Sequence, residues 1–288
     1  MLDLDAIAPK HVLSYPPEVV GRKALLLARL AEVSATPPVS VLTIAWHRRY
    51  RNEPALVLDR VRSWARGLAQ NDLYVVRSSA VLSFEERAAF EDDVALPMAG
   101  WFTSVVGVRP SQIPHAVKEC YGSADNDRIM ALLASMGQPR ARDIGIALIV
   151  QRFVDAARCA VLYTRDPYRR GRRDEMLLSA AWGACLVLVS GEVTGDTCRM
   201  ARSGGPATIQ WGDKRWMRAL DRAGRLVRRR TPRTLASRLA IGDADADAIR
   251  DLGLHLESKL GAPQEVELVW AAGQWIPVQS RPLGLGPQ

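Results

Sequence analysis

Apolar and polar positions alternate most regularly near the end of the chain. There Gln264-Glu265-Val266-Glu267-Leu268-Val269-Trp270 and Trp275-Ile276-Pro277-Val278-Gln279-Ser280-Arg281 flank Ala271-Ala272-Gly273-Gln274. β-Branched and aromatic residues on both sides of a short Gly-bearing stretch predict a β-hairpin with a loop of four residues or fewer. Upstream, the spacing of Leu25, Leu26, Leu27 and Leu30 predicts a helix over 19–32, and a second amphipathic helix covers 54–70. Residues 73–76 read as a buried strand ending at Arg77, and 110–120 and 127–136 as helices. Strands are expected at 144–153, 159–163 and 176–181, with an Arg-rich turn at 168–174. Short antiparallel strands follow between 198 and 230, and a helix over 243–260 leads into the hairpin. Helices and strands mixed without regular βαβ alternation predict an α+β fold.

Side chains alternate faces along a strand, so Glu265 and Glu267 share one face, as do Gln279 and Arg281. Two carboxylates beside an amide and a guanidinium suit a divalent cation and a polyphosphate. Carboxylate oxygens bind Mg²⁺, and arginine binds phosphate oxygens with paired donors. Taken alone, the pattern is better explained by an edge hairpin with a solvated polar face.

Composition narrows the choice modestly. The 288 residues, 48% hydrophobic, can form one large or two modest cores. The start, Met1-Leu2-Asp3-Leu4-Asp5, lacks a basic-then-apolar leader pattern, and the longest apolar run, 180–189, is too short to span a bilayer. A cytoplasmic protein with no membrane association is expected. Cys120, Cys159, Cys185 and Cys198 are scattered without Cys-x-x-Cys spacing and are expected as buried thiols. The net charge of +8 gathers in clusters at 47–51, 165–173 and 228–233, which could meet nucleic acid or an acidic protein. No zinc-finger spacing, RNA-recognition aromatic motif or long basic helix accompanies them, so nucleic acid is not the expected partner.

Several segments, taken in order, carry a resemblance. Val20-Gly21-Arg22-Lys23-Ala24-Leu25-Leu26 is similar to a Gly-Gly-Lys helix start, and Val76-Arg77-Ser78-Ser79-Ala80 to a Val-Arg-Ser-Ser-Ala segment. Val150-Gln151-Arg152-Phe153-Val154 and Ala160-Val161-Leu162-Tyr163-Thr164-Arg165-Asp166-Pro167 follow, then Ala181-Trp182-Gly183 and Val189-Ser190-Gly191-Glu192-Val193-Thr194. The last is Pro263-Gln264-Glu265-Val266-Glu267 with Gln279-Ser280-Arg281-Pro282. Together they resemble the ATP-binding domain of the pyruvate phosphate dikinase and phosphoenolpyruvate synthase family, a group that includes rifampicin phosphotransferase. Each motif is weak by itself; their order is specific, and the likeness runs from about Val20 to Pro282.

The resemblance implies an ATP-grasp fold in which two subdomains, 1–151 and 152–288, enclose a nucleotide cleft. It implies ATP and Mg²⁺ as cofactors. Lys23, Arg77 and Arg281 take the phosphates, and Glu267, with Glu265 close behind, takes the metal. Gln279 completes the phosphate end, and Gln151, Arg152, Phe153 and Val154 form the hinge at adenine, with the Phe153 side chain expected to pack rather than bind. Read without the resemblance, Lys23 is an ordinary helix lysine and Arg77 a strand-end arginine paired with a surface carboxylate.

The departures are equally specific. Arg22 replaces the second glycine, the segment 81–98 replaces an acidic stretch, and Trp182-Gly183-Ala184-Cys185-Leu186 replaces Trp-Gly-Leu-Gly-Glu. The family's swivelling phosphohistidine domain is not in this sequence, and none of His11, His47, His115 and His255 has a carrier-like context. The expected activity is therefore Mg²⁺-dependent phosphotransfer from ATP, to a histidine on a separate carrier protein or directly to a small acceptor. The alternative is a degenerate ATP-grasp domain that senses nucleotide or binds a partner without turnover.

Overall fold

The computed structural model describes residues 8–85, 87–91, 100–124, 127–138, 141, 143–168 and 174–284. The chain forms two compact units, Met1–Ala28 with Pro37–Phe153, and Arg29–Thr36 with Val154–Gln288. Both mix helices with sheets whose strand pairs are all antiparallel, which makes the fold α+β.

In the first unit, β1 (Val39–Leu42), β2 (Tyr74–Ser83), β3 (Ala88–Phe90), β4 (Ser104–Val108) and β5 (Asp143–Arg152) form one sheet in the order β1-β5-β2-β3. β5 runs along one edge of β2 for all ten of its residues, from Tyr74 opposite Arg152 to Ser83 opposite Asp143. The other edge of β2 is shared. β4 covers Tyr74–Arg77 and β3 covers Val81–Ser83, leaving Ser78, Ser79 and Ala80 between them. Val76, Ala80 and Leu82 share a core with Ile144, Ile146, Leu148 and Val150, closed by Val57, Val61, Val117, Ile129 and Leu133 from three helices. Alternation along both strands thus supplies one continuous apolar face.

One sequence expectation is corrected here. The strand expected to end at Arg77 continues six residues further, to Ser83. Ser78 and Ser79 resemble a turn locally, yet both are buried, because partners distant in sequence satisfy their hydroxyls. The basic cluster at 47–51 lies on a helix, Ile44–Asn52, that sends Trp46 and His47 inward. Its Arg48 and Arg51 pair with Asp143 at 3.2 and 2.7 Å, so much of the local charge is neutralised.

In the second unit, β6 (Arg158–Tyr163), β7 (Glu175–Trp182), β8 (Asp196–Ala201), β9 (Thr208–Gln210), β12 (Gln264–Ala271) and β13 (Gln274–Pro282) form a sheet in the order β13-β12-β6-β7-β8-β9. β10 (Trp216–Leu220) and β11 (Leu226–Arg230) make a separate two-stranded ribbon. The helix Asp243–Leu260 packs on the large sheet at Gly253, where a Cβ would lie 2.8 Å from the Leu162 side chain. Its first turn is tied to the sheet by Asp245, which accepts from Arg158 at 2.6 and 3.1 Å and from the Trp275 indole at 3.0 Å. Arg158 also lies over the rings of Trp270 and Trp275.

All four cysteines are buried free thiols, as their scatter suggested. Burial pushes the Cys120 and Cys198 thiols up to about 12 and about 11. Among the described residues, no helix is long and apolar enough to cross a membrane. Most of the expected Arg-rich turn at 168–174 lies outside the described residues.

Candidate functional site

The sequence-predicted residues fall in both units, and each group has its own geometry. In the first unit, Gly21 separates a short helix, Pro17–Val20, from the helix Arg22–Val33. Gly21 sits at φ 74°, and a Cβ there would meet the Ser79 carbonyl at 2.3 Å, so only glycine fits this approach. The Ser79 hydroxyl accepts from the Ala24 N–H at 3.2 Å. The Gly-x-Lys and Arg-Ser-Ser-Ala segments, more than fifty residues apart in sequence, are therefore in direct contact.

Lys23 stands in the first turn of its helix, and its ammonium meets Glu91 at 2.7 Å. Glu91 is nearly inaccessible and also accepts from the Ser78 hydroxyl and the Ala80 N–H, both at 3.2 Å. Its carboxylate fills the gap between β3 and β4 on the edge of β2. Glu91 was not identified from the sequence. The acidic stretch expected directly after Ala80 is displaced by a hairpin, Val81–Phe90, which returns the chain so that Glu91 N–H meets the Ala80 carbonyl at 3.1 Å. The acidic run Glu91-Asp92-Asp93 was the available signal.

Arg77 is half-buried in the middle of β2, opposite Ile149 on one side and Ser104 on the other. Gln151, buried, shares that face of the sheet, two positions along β5 from Ile149. Arg152 points the other way, exposed, with Asp72 3.7 Å from its guanidinium. Phe153 is half-buried, and its N–H donates to Leu73 O at 2.7 Å. Val154 begins the second unit and packs on a cluster that includes Cys159, Val161 and Val269.

In the second unit, the hairpin places Glu265 opposite Arg281 and Glu267 opposite Gln279. All four lie on one face of the sheet. A register shift after Glu267 skips one residue of β13, so Ile276 rather than Pro277 faces Val269. The bulge joins a polar row to an apolar patch formed by Val161, Val269, Val278 and Ile276. Pro277 is tolerated because β13 is an edge strand. Arg281 holds both oxygens of Glu265, at 2.9 and 2.7 Å from one nitrogen and 3.0 Å from another. Tyr163 follows Glu265 in the same row, and burial, then the Glu265 charge, drives its hydroxyl well above the usual phenol range.

Thr164 and Asp166 of the Thr-Arg-Asp-Pro segment act one step back. The Thr164 hydroxyl accepts from Gln264 N–H at 2.8 Å, fixing β12 next to Glu265. Asp166 pairs with Arg199 at 3.2 Å and accepts from Tyr168 N–H at 2.9 Å. Gly183, the glycine kept from the altered Trp-Gly-Leu-Gly-Glu segment, has φ 84° and abuts the Arg218 carbonyl, where a Cβ would sit 2.3 Å away. Cys185 and Leu186, in place of Gly and Glu, lead into a short helix, Leu186–Val189.

The donor set fits a hard cation in part. Glu265 and Glu267 offer oxygens on one face, while no group of three or more His, Cys, Asp or Glu ligands occurs among the described residues. The remaining coordination positions would fall to phosphate oxygens and water.

The model of the pyruvate phosphate dikinase AMP/ATP-binding domain matches residues 54–288. A probable phosphoenolpyruvate synthase of Methanothermobacter thermautotrophicus is 26% identical over 231 residues, 79% of this chain and 32% of that protein. The corresponding protein of Archaeoglobus fulgidus is 29% identical, over 74% of this chain and 27% of its own. A rifampicin phosphotransferase of Streptomyces sviceus is 28% identical over 92% of this chain and 30% of its own. Among solved structures, a D-alanine-D-alanine ligase from Helicobacter pylori is similar at a TM-score of 0.40 and 10% identity, over 95% of this chain and 55% of that one. This chain belongs to the pyruvate phosphate dikinase AMP/ATP-binding domain family. It spans about a third of the length of these curated relatives or less.

Proposed function

We propose that this chain is an ATP-grasp nucleotide-binding protein that serves Mg²⁺-dependent phosphotransfer from ATP. What carries the reading is the β12–β13 register, which aligns Glu265, Glu267, Gln279 and Arg281 on one face in a member of an AMP/ATP-binding family. Phosphoryl transfer asks a protein mainly for positioning and for neutralising charge. Arg281 and Gln279 would hold phosphate oxygens, and Glu267 with Glu265 the cation. Lys23 and Arg77 would add positive charge, and Gln151 to Val154 would meet the base. Bound Mg²⁺ would supply further neutralisation of the polyphosphate. For Arg281 to take phosphate, its paired contact with Glu265 has to open, which frees that carboxylate for the metal. The acceptor we propose is a histidine on a separate carrier protein or a small molecule.

The loss of Gly and Glu at Cys185 and Leu186 favours a second reading, a domain that senses nucleotide or docks a partner without turnover. Thermal melting tests the nucleotide site, and release of ADP or AMP and phosphate, expected only with turnover, separates the two. ATP with Mg²⁺ is expected to raise the melting temperature more than ATP alone, since a ligand of the native state stabilises it. Glu267→Gln is expected to keep the metal-free increment and lose the Mg²⁺-dependent one. Equal, negligible shifts with ATP, ADP and buffer would sink the phosphotransfer reading.

A further inference from the structure

The ribbon β10–β11 and its flanks hold charge outside the residues proposed above to bind nucleotide. Between Trp211 and Arg238 stand nine arginines and Lys214 against two carboxylates, Asp213 and Asp221. That excess equals the +8 of the entire chain. Part of it is neutralised locally. Arg215 pairs with Asp213 at 2.6 Å, Arg225 with Asp221 at 2.9 Å, and Arg218 and Arg228 with Glu192 at 2.8 and 3.3 Å. Lys214 is fully buried against Asp196. Arg222, Arg229, Arg230 and Arg233 are exposed and make no ion pair among the described residues.

The ribbon is fixed on one side and open on the other. β10 is anchored where Ala184 N–H donates to Arg218 O at 2.8 Å. β11 pairs with β10 alone among the described strands, and Arg228, Arg229 and Arg230 lie exposed along it. An unpaired strand edge is a template for another strand, and a row of like charges on it rejects most strands. An acidic strand reverses that sign: the charges that exclude other segments attract this one. Nucleic acid would ask in addition for open aromatic faces on which bases stack. Within the ribbon, the indole of Trp216 is already covered by the guanidiniums of Arg228 and Arg230, 4.0 and 5.2 Å from its centroid, and the exposed Trp211 lies outside both strands, with Lys214 Nζ 5.1 Å from its ring.

We infer that the open edge of β11 docks an extended acidic segment of a partner protein by strand addition, with Arg229 and Arg230 selecting its charge. The experiment is fluorescence anisotropy of a labelled peptide in which pairs of Glu alternate with pairs of Val, so that an added strand carries carboxylates on both faces, titrated with the full chain. The peptide is expected to bind, and Arg229→Glu/Arg230→Glu to weaken it by about tenfold or more, since each lost charge-assisted contact is worth about a factor of ten. Arg60→Glu/Arg66→Glu, equal in charge change and exposed on the first unit, is expected to leave affinity unchanged. On the unaltered protein, a peptide N-methylated at alternate residues is expected to lose binding, because strand addition needs its backbone N–H groups. Absence of binding would overturn the inference. So would equal losses in both double variants, or undiminished binding of the N-methylated peptide. Tighter binding of a single-stranded oligonucleotide of matched charge, through the same arginines, would replace it with a nucleic-acid site.

Discussion

Lys23 illustrates how a residue's surroundings change what its substitution reports. Lys23 and Glu91 are both largely withdrawn from water, so removing one charge strands the other. Lys23→Ala is expected to cost about 3–5 kcal/mol of stability, measured by urea denaturation. Lys23→Met/Glu91→Gln is expected to recover most of that, because neither charge is left alone, and still to bind ATP more weakly than the parent. A double variant as unstable as Lys23→Ala would show that the ion pair is not the source of the cost. His47 makes a second residue-scale case. Burial, then Arg51, lowers its pKa from 6.5 to about 4, against the pull of Asp143, and its Nδ1 faces Ile146 N–H at 3.3 Å. A folded pKa below the unfolded one means that the unfolded chain binds the proton first on acidification. The stability is whole above pH 6.5 and is lost as pH falls towards 4. By pH 5 the loss is about 2 kcal/mol. His47→Gln is expected to flatten the urea midpoint between pH 7.5 and 5; an unchanged slope would assign the acid sensitivity elsewhere.

At the scale of elements, the terminal hairpin has one local flaw. Its two-residue loop, Ala272-Gly273, has φ 50° and 78°, and Ala272 is the one non-glycine with positive φ among the described residues. A left-handed conformation costs a non-glycine residue about 1–2 kcal/mol. Ala272→Asn, which gives the Asn-Gly pair favoured in such turns, is expected to raise stability by about 1 kcal/mol in chemical denaturation. Destabilisation would show that the loop does not set the register. The same hairpin was legible in the sequence because alternation and turn glycine are local signals. The helix Asp243–Leu260 was legible for a similar reason, with a periodic apolar face and a left-handed Gly261 closing it. β2 was cut short in the sequence reading because serines 78 and 79 look polar until Glu91 and Ala24 are placed beside them. The helix Ile44–Asn52 was hidden by its arginines, two of which, Arg48 and Arg51, find their partner Asp143 some ninety residues on.

At the scale of the whole molecule, charge among the described residues is distributed unevenly. Cations in the family motifs face carboxylates, as Lys23 faces Glu91 and Arg281 faces Glu265. Among the described residues, exposed arginines without an ion pair cluster on the β10–β11 ribbon and its flank, at Arg222, Arg229, Arg230 and Arg233, so two predictions part at this scale. Nucleotide stabilisation should respond to Mg²⁺ and to Glu267, and acidic-peptide binding to Arg229 and Arg230, with neither set affecting the other. A ribbon variant that abolished the ATP-dependent melting shift while binding peptide normally would contradict that separation.

By itself the sequence determined the α+β class, the positions of the main strands and helices, and the family, since periodicity and ordered motifs are properties of neighbouring residues. It also placed Glu265, Glu267, Gln279 and Arg281 on shared strand faces, because a strand's period of two needs no tertiary information. Only the tertiary structure decided which charges meet. Glu91 reaches Lys23 across 68 positions of sequence, and only after the hairpin Val81–Phe90 has folded back along β2. Glu265 is bound by Arg281 because the two strands take one register out of several, and the bulge after Glu267 then turns Ile276 to the face of Val269. Pairing of charges depends on distance in space, and distance in space is fixed by packing and register, which no local pattern encodes.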